Sequence, residues 1–142
     1  MSKEKLIDQK TIRIRFSETD ALGMVWHGNY IKFFEDGRDS FGEKYDLNWL
    51  KIHDLGYITP IVKTVCEHKC KLRYGDKIRI ETEFIDEAAA KIHFKFRIYN
   101  IDTGKLAATG ETLQVFTDKD GELVLTNPEF YVKWKKRWNL LD

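Results

Sequence analysis

Apolar and polar positions alternate from Thr11 to Phe16, with Ile12, Ile14 and Phe16 on one side and Arg13 and Arg15 on the other. A two-residue period predicts a strand buried on one face. From Ser17 to Gly28 neither period holds. This loop carries Gly23 and Gly28 but also Met24, Val25, Trp26 and His27, which are unusual in a solvated connection. From Asn29 to Tyr45 the period changes. Tyr30, Ile31, Phe34, Arg38, Phe41 and Tyr45 recur at three- and four-residue steps, and Phe33 widens the stripe. That predicts a largely buried helix about 25 Å long. Asp46 to Leu55 reads as a second short helix, with Leu47, Leu50 and Leu55 inward and Gly56 ending it.

The remainder is mostly extended. Tyr57 to Leu72 reads as one long run, with Pro60 as the place for a break. Lys77 to Asp86, Lys91 to Asn100 and Lys105 to Thr117 are strands, separated by turns at Glu87–Ala90 and Asp102–Gly104. In the first, Ile78, Ile80 and Phe84 oppose Arg79, Glu81 and Glu83; in the second, Ile92, Phe94, Phe96 and Ile98 oppose His93, Lys95 and Arg97. A final helix starts around Asn127-Pro128-Glu129. Consecutive hairpins make an antiparallel meander, and a lone apolar helix needs a sheet to cover it. The predicted class is α+β: a long antiparallel sheet wrapped around one central helix, the hotdog arrangement.

Length and charge narrow the function. The chain has 142 residues, consistent with a single domain over 1–142. At this size about 69% of the unfolded surface is buried on folding, so a core forms without staples. The balance of 24 basic and 23 acidic side chains argues against nucleic acid as a partner. No apolar window reaches the length of a membrane span, and the charged N-terminus lacks a signal-peptide core. A cytoplasmic protein with reduced thiols is expected. Cys66, His68 and Cys70 share one face of an extended segment, but Cys66 and Cys70 would be about 13 Å apart, too far for a disulfide or a shared zinc. No metal and no cofactor are expected. Serine-nucleophile elbows, dinucleotide-binding glycine patterns and phosphate loops are absent from the sequence.

The informative stretch is Arg15 to Tyr30, which ends a strand, crosses the unusual loop and opens the buried helix. The first N–H groups of a helix lack internal partners and carry the positive end of its dipole. Aimed into a dry site, such donors can hold a carbonyl oxygen as it becomes an oxyanion. A carboxylate beside them can act as nucleophile or general base. Asp20 is the candidate. It also fits an ordinary role as a turn residue bonding its own loop. His27 is a candidate general base, or contributes only its N–H. Glu35, on the helix, is a second acid/base candidate or a carboxylate paired with Arg38.

The pattern Asp20, Gly23, Val25, Trp26, Asn29, Tyr30, Glu35 and Arg38 resembles the signature of the 4-hydroxybenzoyl-CoA thioesterase family of hotdog acyl-CoA thioesterases. Thr59-Pro60-Ile61-Val62 resembles the start of that family's second strand. The Tyr74–Asp76 turn with Ile78–Thr82 is similar too, and the likeness runs from about Thr11 to Tyr131. The resemblance implies hydrolysis of an acyl- or aryl-CoA thioester without a metal, by a homotetramer built from hotdog dimers. It implies Asp20 as the catalytic carboxylate and the His27 N–H as the group polarising the thioester carbonyl. Gly23, Trp26, Tyr30 and Thr59 would bind substrate, with Thr59 supplied by a neighbouring subunit.

One departure stands out. Where some relatives present several basic residues to the CoA phosphates, this chain has Glu87-Ala88-Ala89-Ala90, leaving Lys91 and Arg73 as candidate CoA contacts. The C-terminal Phe130, Trp134 and Trp138 share a helical face with interleaved Lys and Arg. Such a helix would cover the sheet with its Trp and Phe while Lys and Arg stay solvated, or would dock an acidic acyl-carrier protein or a membrane surface. Three functions compete: an acyl-CoA thioesterase, an acyl-ACP thioesterase, and a non-catalytic acyl-CoA-binding module. A helix that fills the sheet leaves no room for a CoA ester inside one subunit, so the site is expected at a subunit interface.

Overall fold

In a computed structural model of the chain, residues 5–141 are described. The strands are β1 (Ile7–Arg13), β2 (Tyr57–Ile58), β3 (Ile61–His68), β4 (Lys77–Ile85), β5 (Lys91–Asn100), β6 (Leu106–Asp118) and β7 (Leu123–Val124). The helices are α1 (Asn29–Tyr45), α2 (Trp49–Asp54) and α3 (Glu129–Arg137). The strands form one antiparallel sheet in the order β1-β4-β5-β6, with β3 and β2 on the far side of β6 and β7 paired to its end. The alternation in β4 and β5 sends Ile78, Ile80, Phe84, Ile92, Phe94, Phe96 and Ile98 to the inner face, where all are buried.

Helix α1 runs over the residues its period predicted and lies on that inner face, with Phe33, Phe34 and Phe41 fully buried. Two glycines permit the close approach. A β-carbon on Gly37 would meet Thr82 and Ile80, and one on Gly110 would meet the Phe34 ring. The Phe34 and Phe96 rings stack at 4.6 Å. Helix α3 closes the far end of α1. The Trp134 and Trp138 indoles both donate to the Tyr45 carbonyl, at 2.7 and 2.9 Å, satisfying an acceptor the helix end leaves free.

Four local expectations are corrected. The first strand covers Ile7–Arg13 rather than Thr11–Phe16, because β1 pairs β4 in the register Ile7↔Glu83 to Arg13↔Lys77. Beyond Arg13 only a last pair of bonds follows, between Ile14 and the Gly75–Asp76 turn; the chain then turns through a short 3-10 segment at Phe16–Glu18, and Phe16 points outward. In the second helix Ile52 is buried while Leu50 and Leu55 are exposed, since Asp46 breaks into the left-handed region and delays the helix to Trp49. The run from Tyr57 breaks at Pro60 as expected, into β2 and β3, but the strand ends at His68 rather than running on to Leu72. On α3, Lys135 is buried and not solvated. Its ammonium sits 2.8 Å from an Asp86 carboxylate oxygen and donates to the Glu87 carbonyl. Arg137 is paired with Asp46 and Lys133 with Glu129, so most of the basic face is already engaged within the chain. No helix among the described residues is long and apolar enough to cross a membrane.

Candidate active site

The loop between β1 and α1 is tied at its neck by Glu18, a buried carboxylate. Glu18 Oε1 accepts the Arg15 N–H at 2.7 Å. The Glu18 carbonyl accepts the Trp26 N–H at 3.1 Å and the buried Asn29 side-chain amide at 2.8 Å, using both its lone pairs. At the tip, Asp20 N–H donates to Met24 and Gly23 N–H donates back to Asp20, at 2.7 and 3.0 Å. Gly23 has φ of 77°, a left-handed conformation that disfavours any β-carbon.

Within this loop Asp20 serves two ends at once. Its Oδ1 accepts the N–H groups of Leu22 and Met24 at 2.8 and 3.2 Å, as a turn residue would. Its Oδ2 has no partner among the described residues, and the side chain is exposed in the single chain. A few residues on, Asn29 and Tyr30 donate back to the Trp26 and His27 carbonyls, at 2.9 and 3.4 Å, as the chain winds into α1. The His27 and Gly28 N–H groups meet no acceptor among the described residues. They are the free positive end of a 17-residue helix.

The facing wall comes from the segment after β3. Val25 N–H donates to Leu72 at 2.8 Å and Tyr74 N–H to Gly23 at 3.0 Å, and Met24 bridges Arg73. Between the walls lies a cavity of about 390 Å³ lined by Asp20, Trp26, His27, Tyr30, His68 and Cys70. The Trp26 ring lies 4.9 Å from the His27 ring. Tyr30 is buried with the His68 ring edge-on at 4.6 Å. Burial pushes the Tyr30 hydroxyl above the ordinary tyrosine pKa and Cys66 adds to this, against the Leu72 N–H; Tyr30 is therefore a neutral group here. Burial likewise raises the Cys66 thiol, whose sulfur is 3.7 Å from His68 Nε2. Both cysteines are free, and no cluster of three or more metal-binding side chains occurs among the described residues.

Of the candidates, Asp20, Gly23, Trp26, His27, Tyr30 and Arg73 come together. Thr59 and Lys91 do not join them within one chain. The Thr59 carbonyl accepts the Gln114 amide at 2.8 Å, and the residue lines a second cavity of about 530 Å³ with Arg38, Trp49, His53 and Gln114. Lys91 begins β5 opposite Val115, at that same end of the sheet. On β6, Ala108, which pairs His68, and Gln114, which pairs Ile61, are six residue steps apart, or about 20 Å of strand. Glu35 is exposed and lies 3.7 Å from Arg38, the pairing anticipated for it.

Glu18, Gly28 and His68 belong to this site but carried no clear mark in the sequence. A buried Glu is recognisable only by the carbonyl and N–H groups that gather around it. His68 and Cys70 read there as continuing strand, so their place opposite Asp20 depended on the break after β3.

Residues 14–134 match the thioesterase-like superfamily. The chain belongs to that superfamily. Among its relatives, the acyl-CoA thioester hydrolase YbgC of Shigella flexneri is 25% identical over 107 residues, 75% of this chain and 79% of that protein. Solved structures share the hotdog fold. A DHNA-CoA thioesterase from Staphylococcus aureus superposes with a TM-score of 0.83 at 24% identity, covering 94% of this chain and 89% of that one. The 4-hydroxybenzoyl CoA thioesterase from Pseudomonas sp. strain CBS-3 gives 0.78 at 24% identity, covering 90% and 98%. At such identities these structures speak for the fold alone.

Proposed function

We propose that this protein hydrolyses an acyl- or aryl-CoA thioester to the free acid and CoA, with Asp20 as nucleophile or general base. The observation that carries this reading is the shared cavity. Asp20 offers one unengaged carboxylate oxygen beside the unengaged N–H of His27 at the start of α1. Membership in the thioesterase-like superfamily and relatives named for acyl-CoA hydrolysis support it.

The thioester carbonyl oxygen takes the His27 N–H, with Gly28 as a second donor. Negative charge grows on that oxygen as the carbon becomes tetrahedral, and the helix dipole stabilises it. Asp20 either removes a proton from the attacking water or attacks the carbon itself. In the second case an acyl–aspartyl anhydride forms and water then cleaves it. On either route the C–S bond breaks when the oxyanion collapses, and CoA leaves as a thiolate that takes up a proton. Gly23 keeps the loop tip turned, while Trp26 and Tyr30 flank the acyl group.

The site is completed by a second copy. The outer edge of β3 has no partner strand among the described residues, and an unpaired edge invites another strand. Antiparallel pairing of two copies about the centre of β3 sets Ile61 opposite His68 and, two residues further out, Thr59 opposite Cys70. Thr59 of the second copy then reaches the Asp20 cavity, and Lys91 arrives at the same side. Hotdog dimers of this kind, further paired as a tetramer, fit the exposure of Asp20 and Trp26 in one chain.

The test is thiol release from a panel of acyl- and aryl-CoA esters. Asp20→Asn is expected to lower kcat at least a hundredfold. A variant as fast as the wild type overturns the assignment.

A further inference from the structure

Phe16 and Tyr74 are large aromatic side chains left 76% and 53% exposed. Their rings meet edge to face at 5.9 Å, and the Arg13 guanidinium lies 5.7 Å from the Tyr74 ring centre. Neither is a loose surface residue. The Phe16 carbonyl accepts both the N–H and the hydroxyl of Thr19, at 3.1 and 2.8 Å, and Tyr74 N–H is bonded to Gly23. The pair is therefore built onto the two walls that hold Asp20.

The two segments that carry it are rich in cations, with the carboxylates Glu18, Glu67 and Asp76 among them. Arg13, Arg15, Lys69, Lys71 and Arg73 are all exposed. Lys69 is paired with Glu67 at 2.9 Å, and Arg15 lies 3.5 Å from Glu18. Asp76 accepts the Arg73 backbone N–H with a carboxylate oxygen. Arg13, Lys71 and Arg73 have no carboxylate partner among the described residues, in a chain whose total is only +1. An exposed aromatic pair with Arg13 at the Tyr74 ring, and the exposed Lys71 and Arg73 on the segment leading into Tyr74, suits a planar base carrying phosphates.

We propose that Phe16 and Tyr74, with Arg13, Lys71 and Arg73, bind the nucleotide end of the CoA ester: adenine against the rings, phosphates on the cations. This rests on the thioesterase reading of the Asp20 cavity and adds to it. Phe16 and Asp20 are four residue steps apart, at most about 14 Å, a span the pantetheine arm can bridge from thioester to nucleotide. The phosphate grip missing from Glu87–Ala90 is thereby relocated beside the catalytic loop.

The experiment compares kcat/KM for one acyl group carried by CoA and by N-acetylcysteamine, which lacks the nucleotide. It uses wild type, a Phe16→Ala/Tyr74→Ala double variant and Arg73→Ala. Adenosine 3′,5′-bisphosphate is also titrated directly against each. The CoA to N-acetylcysteamine ratio is expected to fall at least tenfold in the double variant and several-fold in Arg73→Ala, through KM. Bisphosphate binding should weaken in parallel and with added salt. Ratios unchanged in both variants overturn the proposal. So does a wild type that binds no bisphosphate, or a double variant that changes only oligomeric state. If the wild type cleaves neither ester, the thioesterase reading fails separately, and bisphosphate binding lost in the variants still supports the platform.

Discussion

The Trp26 indole fills the space that a β-carbon on Gly28 would occupy. Gly28 has φ of −67° and ψ of −20°, which any residue adopts, so its glycine is explained by the ring above it and not by backbone strain. Gly28→Ala should keep the helix start but push the indole aside from the oxyanion donors and the acyl pocket. We expect kcat/KM on acyl-CoA to fall about tenfold, equivalent to about 1.4 kcal/mol, with circular dichroism unchanged. Full activity would show that the indole position is immaterial.

Asp20 joins a structural to a chemical duty, and two substitutions separate them. Asn keeps an oxygen for the Leu22 and Met24 N–H groups but cannot act as base or nucleophile. Ala loses both. Thermal unfolding should leave Asp20→Asn near wild type and lower Asp20→Ala by about 1–2 kcal/mol, while both lose activity. Equal destabilisation of the two would mean the loop bonds carry little.

Sharing of the site between copies predicts complementation. Asp20→Asn and a pocket-blocking Thr59→Trp should each be inactive alone. Refolded together at equal amounts, half the dimers are mixed and each mixed dimer holds one intact site. About a quarter of wild-type activity should return, as two-fold symmetry requires. Recovery of nothing would place Asp20 and Thr59 in the same chain's site or in none.

Tyr131 is buried, donates its hydroxyl to the Lys91 carbonyl at 2.8 Å, and packs near Asp86 and Glu87. Burial first, then those two carboxylates, drive its pKa well above the ordinary tyrosine value. The unfolded chain ionises Tyr131 near pH 10 while the folded chain keeps it neutral. Its contribution is therefore intact below pH 10 and is lost as pH climbs toward the folded pKa. Wild-type stability should decline above pH 10 by about 1.4 kcal/mol per pH unit more steeply than in Tyr131→Phe. At neutral pH that variant should be about 1 kcal/mol less stable, for want of the hydrogen bond. Parallel alkaline limbs in urea titrations at several pH values would refute this.

Much of the frame was legible beforehand. The three- and four-residue recurrence from Tyr30 to about Tyr45 located α1, and the alternation in β4 and β5 assigned the inner face correctly. The chemical pointer was also local. Asp20, Gly23, His27 and the opening of α1 lie within eleven residues, so loop and helix start had to be neighbours. What escaped depended on partners. Phe16 continued an alternating pattern, yet β1 stops where β4 stops pairing with it. Lys135 looked like a solvated lysine until Asp86, far away in sequence, came to meet it.

The sequence by itself determined which segments are helix or strand, which faces are apolar, and that a carboxylate stands before a helix N-terminus. Those properties are set by side-chain period and by contacts within a few residues. Only the tertiary structure decided that His68 and Cys70 face Asp20, that Phe16 and Tyr74 meet in solvent, and that Thr59 and Lys91 lie at the other end of the sheet. Strand register and the break after His68 set those distances, and both arise from pairing between segments tens of residues apart.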